Sequence, residues 1–272
     1  MIEMFKDFFG KPIDRNKNKR LFLFDMDGTI YRENDLFTGV KELLEKIKEN
    51  GGNFVFITNN SSKSVDAYVK KLLNMGLNVN KEHFFTSIQA STRLFLKEFG
   101  KKLVYCQGTK SFIEELKKAG LNVTETYNQS ACAVLVGFDP ELTGEKLRET
   151  CKILTLHDIP YYATNPDWVC PVDFGYVPDC GSMCFCIEKA TGKKPVYIGK
   201  PQPTMINVVM EKFNVSKEET VVFGDRIYTD IASGYNAGVD TVLVLSGEAT
   251  LDDYKNSEIK PTFVLNSVKD LL

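Results

Sequence analysis

The sequence has no long uninterrupted apolar run, so nothing in it reads as a membrane span, and its start, MIEMFKDFFGKPIDRNKNKR, lacks the apolar stretch of a secretory signal. A cytoplasmic protein is expected. Neither sign of charge dominates: 34 basic residues against 36 acidic ones leave a formal net charge of -2. Without a basic excess to set against a phosphate backbone, no nucleic-acid polymer is expected as a partner. Histidine occurs only as His83 and His157, which read as structural, and tryptophan only as Trp168. The seven cysteines form no Cys-x-x-Cys pair. Cys180, Cys184 and Cys186 cluster, but no second cysteine pair or suitable histidine pair completes four zinc ligands. Reduced, packed thiols are expected instead.

What the chain does have is 272 residues, 43% of them hydrophobic, enough for a sizeable core. Short apolar runs alternate with amphipathic stretches for almost the whole length. LFLF precedes a helical pattern with Val40, Leu43, Leu44 and Ile47 on one face and Gly51 as its stop. NFVFI precedes a helix over about residues 64–75, with Val65, Val69, Leu72 and Leu73 on its face. KLVYCQ, AVLVGF, PYYATN, PVYIGKP, TVVFGD and TVLVLSG repeat the alternation, with helices expected around 112–118, 144–157, 205–213 and 230–236. The pattern predicts an α/β protein with parallel sheets, and more strands than one sheet comfortably needs, hence an inserted α/β module.

In an open parallel sheet the chemistry gathers beyond the carboxyl ends of the strands. LFLF runs into Asp25, Met26, Asp27 and Gly28; NFVFI ends at Thr58 and Asn59; PVYIG ends at Lys200; TVVFG ends at Asp225, with Asp230 following. Two carboxylates on one turn can divide a reaction, one attacking an electrophile while the other carries the proton. Their repulsion calls for a hard divalent cation, to which Asp225 adds a third carboxylate. A calcium loop fails the count, because Ile30 stands where its glycine is needed and Leu36 where its twelfth-position acid is needed.

DMDGT, TNNSS, IGKPQP and GDRIYTD, in that order, resemble the four motifs of the haloacid dehalogenase-like hydrolase superfamily. From about residue 20 to the C-terminus the chain is similar to its NagD-like and 4-nitrophenylphosphatase-like branch, which carries a large α/β cap. The resemblance implies a Rossmann-like core of residues 1–86 and 181–272, with 1–19 as an extension, and a cap of residues 87–180. It further implies that Asp25 is the nucleophile forming an aspartyl-phosphate and Asp27 the general acid/base. Magnesium would be held by Asp25, the backbone carbonyl of Asp27, and Asp225. Thr58 and Asn59 would bind the phosphoryl group, Lys200 would neutralise it, Asp230 would order the lysine or the metal's waters, and Arg226, Ile227, Tyr228 and Thr229 would line the pocket.

Asp27 favours phosphate-ester hydrolysis over dehalogenation, since dehalogenases of the superfamily lack that second acid. The expected partner is a small phosphorylated metabolite. A phosphotransferase or mutase using the same intermediate and a weakly catalytic phosphometabolite-binding protein are the alternatives, and a homodimer stays open. ATNPD and the loop 178–183 resemble the branch's substrate loop, making Asn165, Asp167 and Gly181 candidates for contact with the leaving group; the bland reading of TNPD is a turn. Trp168 reads as packing inside the cap or as a stacking platform. Met4, Phe5, Phe8 and Phe9 recur at helical spacing and predict a short amphipathic helix docked on protein.

Overall fold

The computed structural model of the chain describes residues 5–13 and 19–272. These divide into two compact units: residues up to Thr58 with Val69–Phe85 and Lys200–Leu272, and Asn59–Tyr68 with Thr86–Gly199.

The first unit is built on a six-stranded sheet in the order Phe263–Leu265, Asp240–Val244, Thr220–Gly224, Leu21–Phe24, Asn53–Thr58, Phe84–Thr86. The first five strands pair in parallel. Their valine, leucine, isoleucine and phenylalanine runs are buried along almost every residue, as a sheet covered on both faces requires. Register sets Phe24 level with Phe223 on one side and Phe56 on the other. The Phe24 and Phe223 rings stack at 4.6 Å, and Phe56 continues the row to Phe84 at 5.3 Å. Leu21–Phe24 is the pivot: the next long strand, Asn53–Thr58, joins one side and the much later Thr220–Gly224 the other. At such a reversal the loops leaving the carboxyl ends part and open a crevice.

The helix Val40–Glu49 buries Val40, Leu43, Leu44 and Ile47, the face read from the sequence. In Val65–Asn74 the face is shifted: Val65, Tyr68 and Leu72 are buried, whereas Leu73 is 49% exposed, against expectation. The last expected helix opens early, with a π-helical turn Ile227–Ile231 running into Ala232–Ala237.

The helix expected from Met4, Phe5, Phe8 and Phe9 does not form among the described residues; Met4 lies outside them. Phe5–Lys6 pairs antiparallel with Pro12–Ile13, and Gly10 turns the chain with φ 80°. The Asp7 carboxylate accepts hydrogen bonds from the N–H groups of Phe9 and Lys11 at 2.9 and 2.8 Å, which stabilises the turn over a helix. Docking on protein does occur: the Phe8 N–H donates to the Val264 carbonyl at 2.7 Å, and Phe9 stacks on Tyr254 at 5.0 Å.

The second unit has its own five-stranded parallel sheet, ordered Val196–Tyr197, Tyr161–Ala163, Val134–Val136, Leu103–Gln107, Asn122–Thr124. A hairpin, Val169–Val172 with Gly175–Pro178, stands beside it in sequence. The helix Cys180–Thr191 sinks Cys180, Met183, Cys184 and Ile187 into a core with Val134, Val136 and Tyr161. The chain therefore returns to the first unit at Lys200 rather than at residue 181, because the apolar face of that helix and the strand after it both complete the second sheet.

Candidate active site

Asp25 follows directly on the strand Leu21–Phe24, with its N–H bonded to the Phe223 carbonyl at 2.9 Å. Beyond it the chain bends at Gly28, φ 83°, a left-handed conformation that costs glycine nothing. A Cβ on Gly28 would lie 2.4 Å from Asp225 Oδ2, and one on Gly247 would lie 2.0 Å from the same atom. The Asp225 carboxylate thus sits in a cradle that only two glycines leave open. Thr29 Oγ1 donates to its Oδ1 at 3.3 Å and the Glu248 N–H to its Oδ2 at 2.8 Å. Burial, then the Asp230 charge, push the Asp225 carboxyl up to about 7, with the Glu248 N–H pulling the other way.

Lys200 is a buried ammonium whose side chain is 3% exposed. Its Nζ donates to Asp25 Oδ1 and to Asp230 Oδ1, each at 2.5 Å, and to the Ile57 carbonyl at 3.2 Å. Burial works to lower its pKa, but the charges of Asp230 and Asp25 overcome this and raise it, so the lysine stays charged. Burial also raises the Asp25 carboxyl well above the usual carboxylate range; Lys200 opposes the shift, and Asp230 and Asp225 add to it.

Asp230 reaches Lys200 because the π-helical turn folds its side chain back over Gly224, where a Cβ would meet Asp230 Cβ at 2.1 Å. Its second oxygen accepts the Arg226 N–H at 3.0 Å. Oxygens of Asp25, Asp225 and Asp230 all lie within 4.8 Å of one another. When ionised, three carboxylates facing one ammonium leave excess negative charge, and the donor set is all oxygen. That chemistry, with the glycine cradle, fits a hard divalent cation.

The structure thus gathers Asp25, Lys200, Asp225 and Asp230. It does not include the Asp27 carboxylate in that cluster: its side chain is 45% exposed and accepts from the Tyr31 hydroxyl at 3.0 Å. Thr58 is buried at the end of Asn53–Thr58. Arg226 is turned to Glu248, Nε to Oε2 at 2.7 Å. Ile227 packs with Ile231, Leu243 and Val264, Thr229 is buried, and Tyr228 is exposed.

Asn59, Asn165 and Asp167 lie together in the second unit, buried. Asn59 and Asn165 both donate to Asp167 Oδ2, at 3.1 and 2.9 Å, and Asn165 also donates to Asp179 Oδ1 at 3.1 Å. Asp179 in turn caps the helix Cys180–Thr191. Gly181 is packed so closely that a Cβ would meet the Pro166 carbonyl oxygen at 2.2 Å. The side-chain polar groups of Asn59, Asn165, Asp167 and Asp179 are thus turned to one another. Trp168 is 53% exposed and edges against Phe185, so the packed reading of it fails. Thr29, Gly247 and Glu248 were missed by sequence reasoning; the signal was the glycine just past TVLVLS, a fifth strand end of the kind already read.

Residues 22–122 match the model of the haloacid dehalogenase-like hydrolase family, and residues 197–271 match an HAD-hydrolase-like model. The ribonucleotide monophosphatase NagD of Escherichia coli K12 is 33% identical over 247 residues, 91% of this chain and 96% of that protein. An acid sugar phosphatase of Staphylococcus aureus MRSA252 is 32% identical over 258 residues, 94% of this chain and 96% of that one. Among solved structures, a 4-nitrophenylphosphatase from Thermotoga maritima superposes with a TM-score of 0.89 at 41% identity, covering 94% of this chain and 97% of its own. A glycerol phosphate phosphatase from Mycobacterium tuberculosis, in complex with magnesium, gives a TM-score of 0.87 at 26% identity, covering 93% of this chain and 76% of its own.

Proposed function

From the premise that the chain belongs to the haloacid dehalogenase-like hydrolase family and is a phosphatase acting on phosphomonoesters, we propose that it hydrolyses small phosphorylated metabolites with magnesium, through an aspartyl-phosphate on Asp25. The observation that carries this reading is the buried Lys200 bridging Asp25 and Asp230 beside Asp225. An ammonium fixed against a carboxylate at a strand end leaves the nucleophile aimed and its charge balanced, and it can pass that balance to phosphoryl oxygens.

An Asp25 carboxylate oxygen attacks phosphorus, the bond from phosphorus to the ester oxygen breaks, and Asp27 gives its proton to the departing alkoxide. The Asp27 carboxylate then takes a proton from water as the water oxygen attacks the same phosphorus. The bond to Asp25 breaks and inorganic phosphate leaves with the carboxylate restored. Thr58 and Asn59 supply hydrogen bonds to the phosphoryl oxygens, Asp230 orients Lys200, and Arg226, Tyr228 and Thr229 border the pocket. Asp25, Asp225 and the Asp27 carbonyl would hold magnesium, which when bound supplies positive charge against the phosphoryl oxygens. Asn165 and Asp167 serve indirectly, through the network that reaches the cap of the helix Cys180–Thr191, where Gly181 packs against the Pro166 carbonyl.

Among the described residues no helix is long and apolar enough to cross a membrane. Seven free cysteines support a reducing setting, and we place the enzyme in the cytoplasm. The test is phosphate release from a panel of nucleotides, sugar phosphates and aryl phosphates, with magnesium and with EDTA. Magnesium-dependent release lost in Asp25→Asn is expected; release that persists in that variant would contradict the mechanism.

A further inference from the structure

Tyr31 is a buried phenol that the reaction above leaves unused. It opens the short strand Tyr31–Arg32, paired antiparallel with Asp35–Leu36, and its side chain has no exposed surface. The Gly28 N–H donates to the Tyr31 carbonyl at 2.8 Å, which closes the turn 28–31 directly after Asp27. From the end of that turn the Tyr31 hydroxyl donates back to Asp27 Oδ2 at 3.0 Å. Lys71, from the helix Val65–Asn74, places its ammonium 3.7 Å from the centroid of the Tyr31 ring and 3.9 Å from Asp27 Oδ1. One cation thus touches both the ring and the carboxylate.

A half-exposed carboxylate on a turn ordinarily rotates freely, its two oxygens equivalent, because its terminal torsion is broad. Here a buried phenol of fixed direction occupies Oδ2, which leaves Oδ1 as the oxygen for proton traffic. A cation over the ring strengthens the phenol as a donor.

We propose that Tyr31 and Lys71 are positioning residues for Asp27, fixing which of its oxygens gives the proton to the leaving alkoxide. The inference rests on the reading of Asp27 as the proton carrier. It makes Tyr31 and Lys71 part of one working unit with the turn, although neither touches the reacting atoms.

The test is the dependence on the leaving group. Glycerol phosphate expels an alkoxide that needs a proton, whereas 4-nitrophenyl phosphate expels a stable phenolate that does not. The quantity read is kcat/KM for the alkyl ester divided by kcat/KM for the aryl ester. Asp27→Asn is expected to lower this ratio by about a hundred-fold or more, as loss of a general acid does. Tyr31→Phe is expected to lower it by about ten-fold, roughly the strength of one charge-assisted hydrogen bond, and Lys71→Met by a smaller factor that Lys71→Arg restores. A merely structural role would scale both substrates together and leave the ratio alone. Should Tyr31→Phe fail to fold, Lys71→Met carries the test, since its side chain is partly exposed. A wild-type ratio in Tyr31→Phe and Lys71→Met, with the ratio collapsed in Asp27→Asn, overturns this proposal and leaves the phosphatase mechanism standing. A wild-type ratio in Asp27→Asn itself overturns the role of Asp27, and this inference with it.

Discussion

Lys200 is the residue on which the site's electrostatics turn. Removing one partner of a buried ion pair costs about 3–5 kcal/mol, because the remaining charge is left without compensation. Lys200→Met is therefore expected to lower the denaturant midpoint as well as abolish turnover, since Asp230 is 1% exposed and would keep no counter-charge. Adding Asp230→Asn should recover much of the stability and none of the activity, and urea unfolding of the double variant checks this. At Gly247 the expected effect falls on the metal. A Cβ 2.0 Å from Asp225 Oδ2 displaces a proposed metal ligand, so Gly247→Ala should raise the magnesium concentration needed for activity about ten-fold or more, as loss of a supporting partner does, and a magnesium titration reads it. Asp25, Lys200, Asp225 and Asp230 were legible because each stands at or just past a strand end in an ordered set. Gly247 was not, since its role is the space it leaves for a carboxylate that comes from a neighbouring strand.

Among the elements, those with strict periodicity were the most legible. Val40–Glu49 buries the face its spacing predicts. The N-terminal phenylalanines misled because two aromatics at i and i+4 fit a helix and a turn equally well, and Gly10 and the Asp7 carboxylate decide for the turn. Asp7 also accepts the Val264 N–H at 3.4 Å, so one buried side chain holds the hairpin closed and ties it to the edge strand Phe263–Leu265. Asp7→Ala leaves those N–H groups without an acceptor and is expected to cost about 1–3 kcal/mol in thermal unfolding while kcat stays at the wild-type value. The helix Cys180–Thr191 explains the misplaced return point. Nothing local in CGSMCFCIEKAT says which sheet its apolar face will cover, and only Val134, Val136 and Tyr161 packed against it answer that.

For the whole molecule, two parallel sheets in one chain were foreseeable from the surplus of strands, while the boundaries depended on contacts that periodicity does not encode. Any group that binds the folded state alone stabilises it by mass action, by about 2.7 kcal/mol at a hundred-fold excess over Kd. Magnesium is accordingly expected to raise the melting temperature of the wild type, with EDTA reversing the gain, and to leave Asp225→Asn unmoved. The central claim is covalent: Asp25 carries the phosphoryl group. Acid quenching of the enzyme within the first turnovers of a radiolabelled phosphomonoester, followed by peptide mapping, tests it most directly. The account predicts label on the peptide that contains Asp25, formed and lost at rates compatible with turnover and absent in Asp25→Asn. Full-rate phosphate release from an Asp25→Asn protein that never takes up label would contradict it.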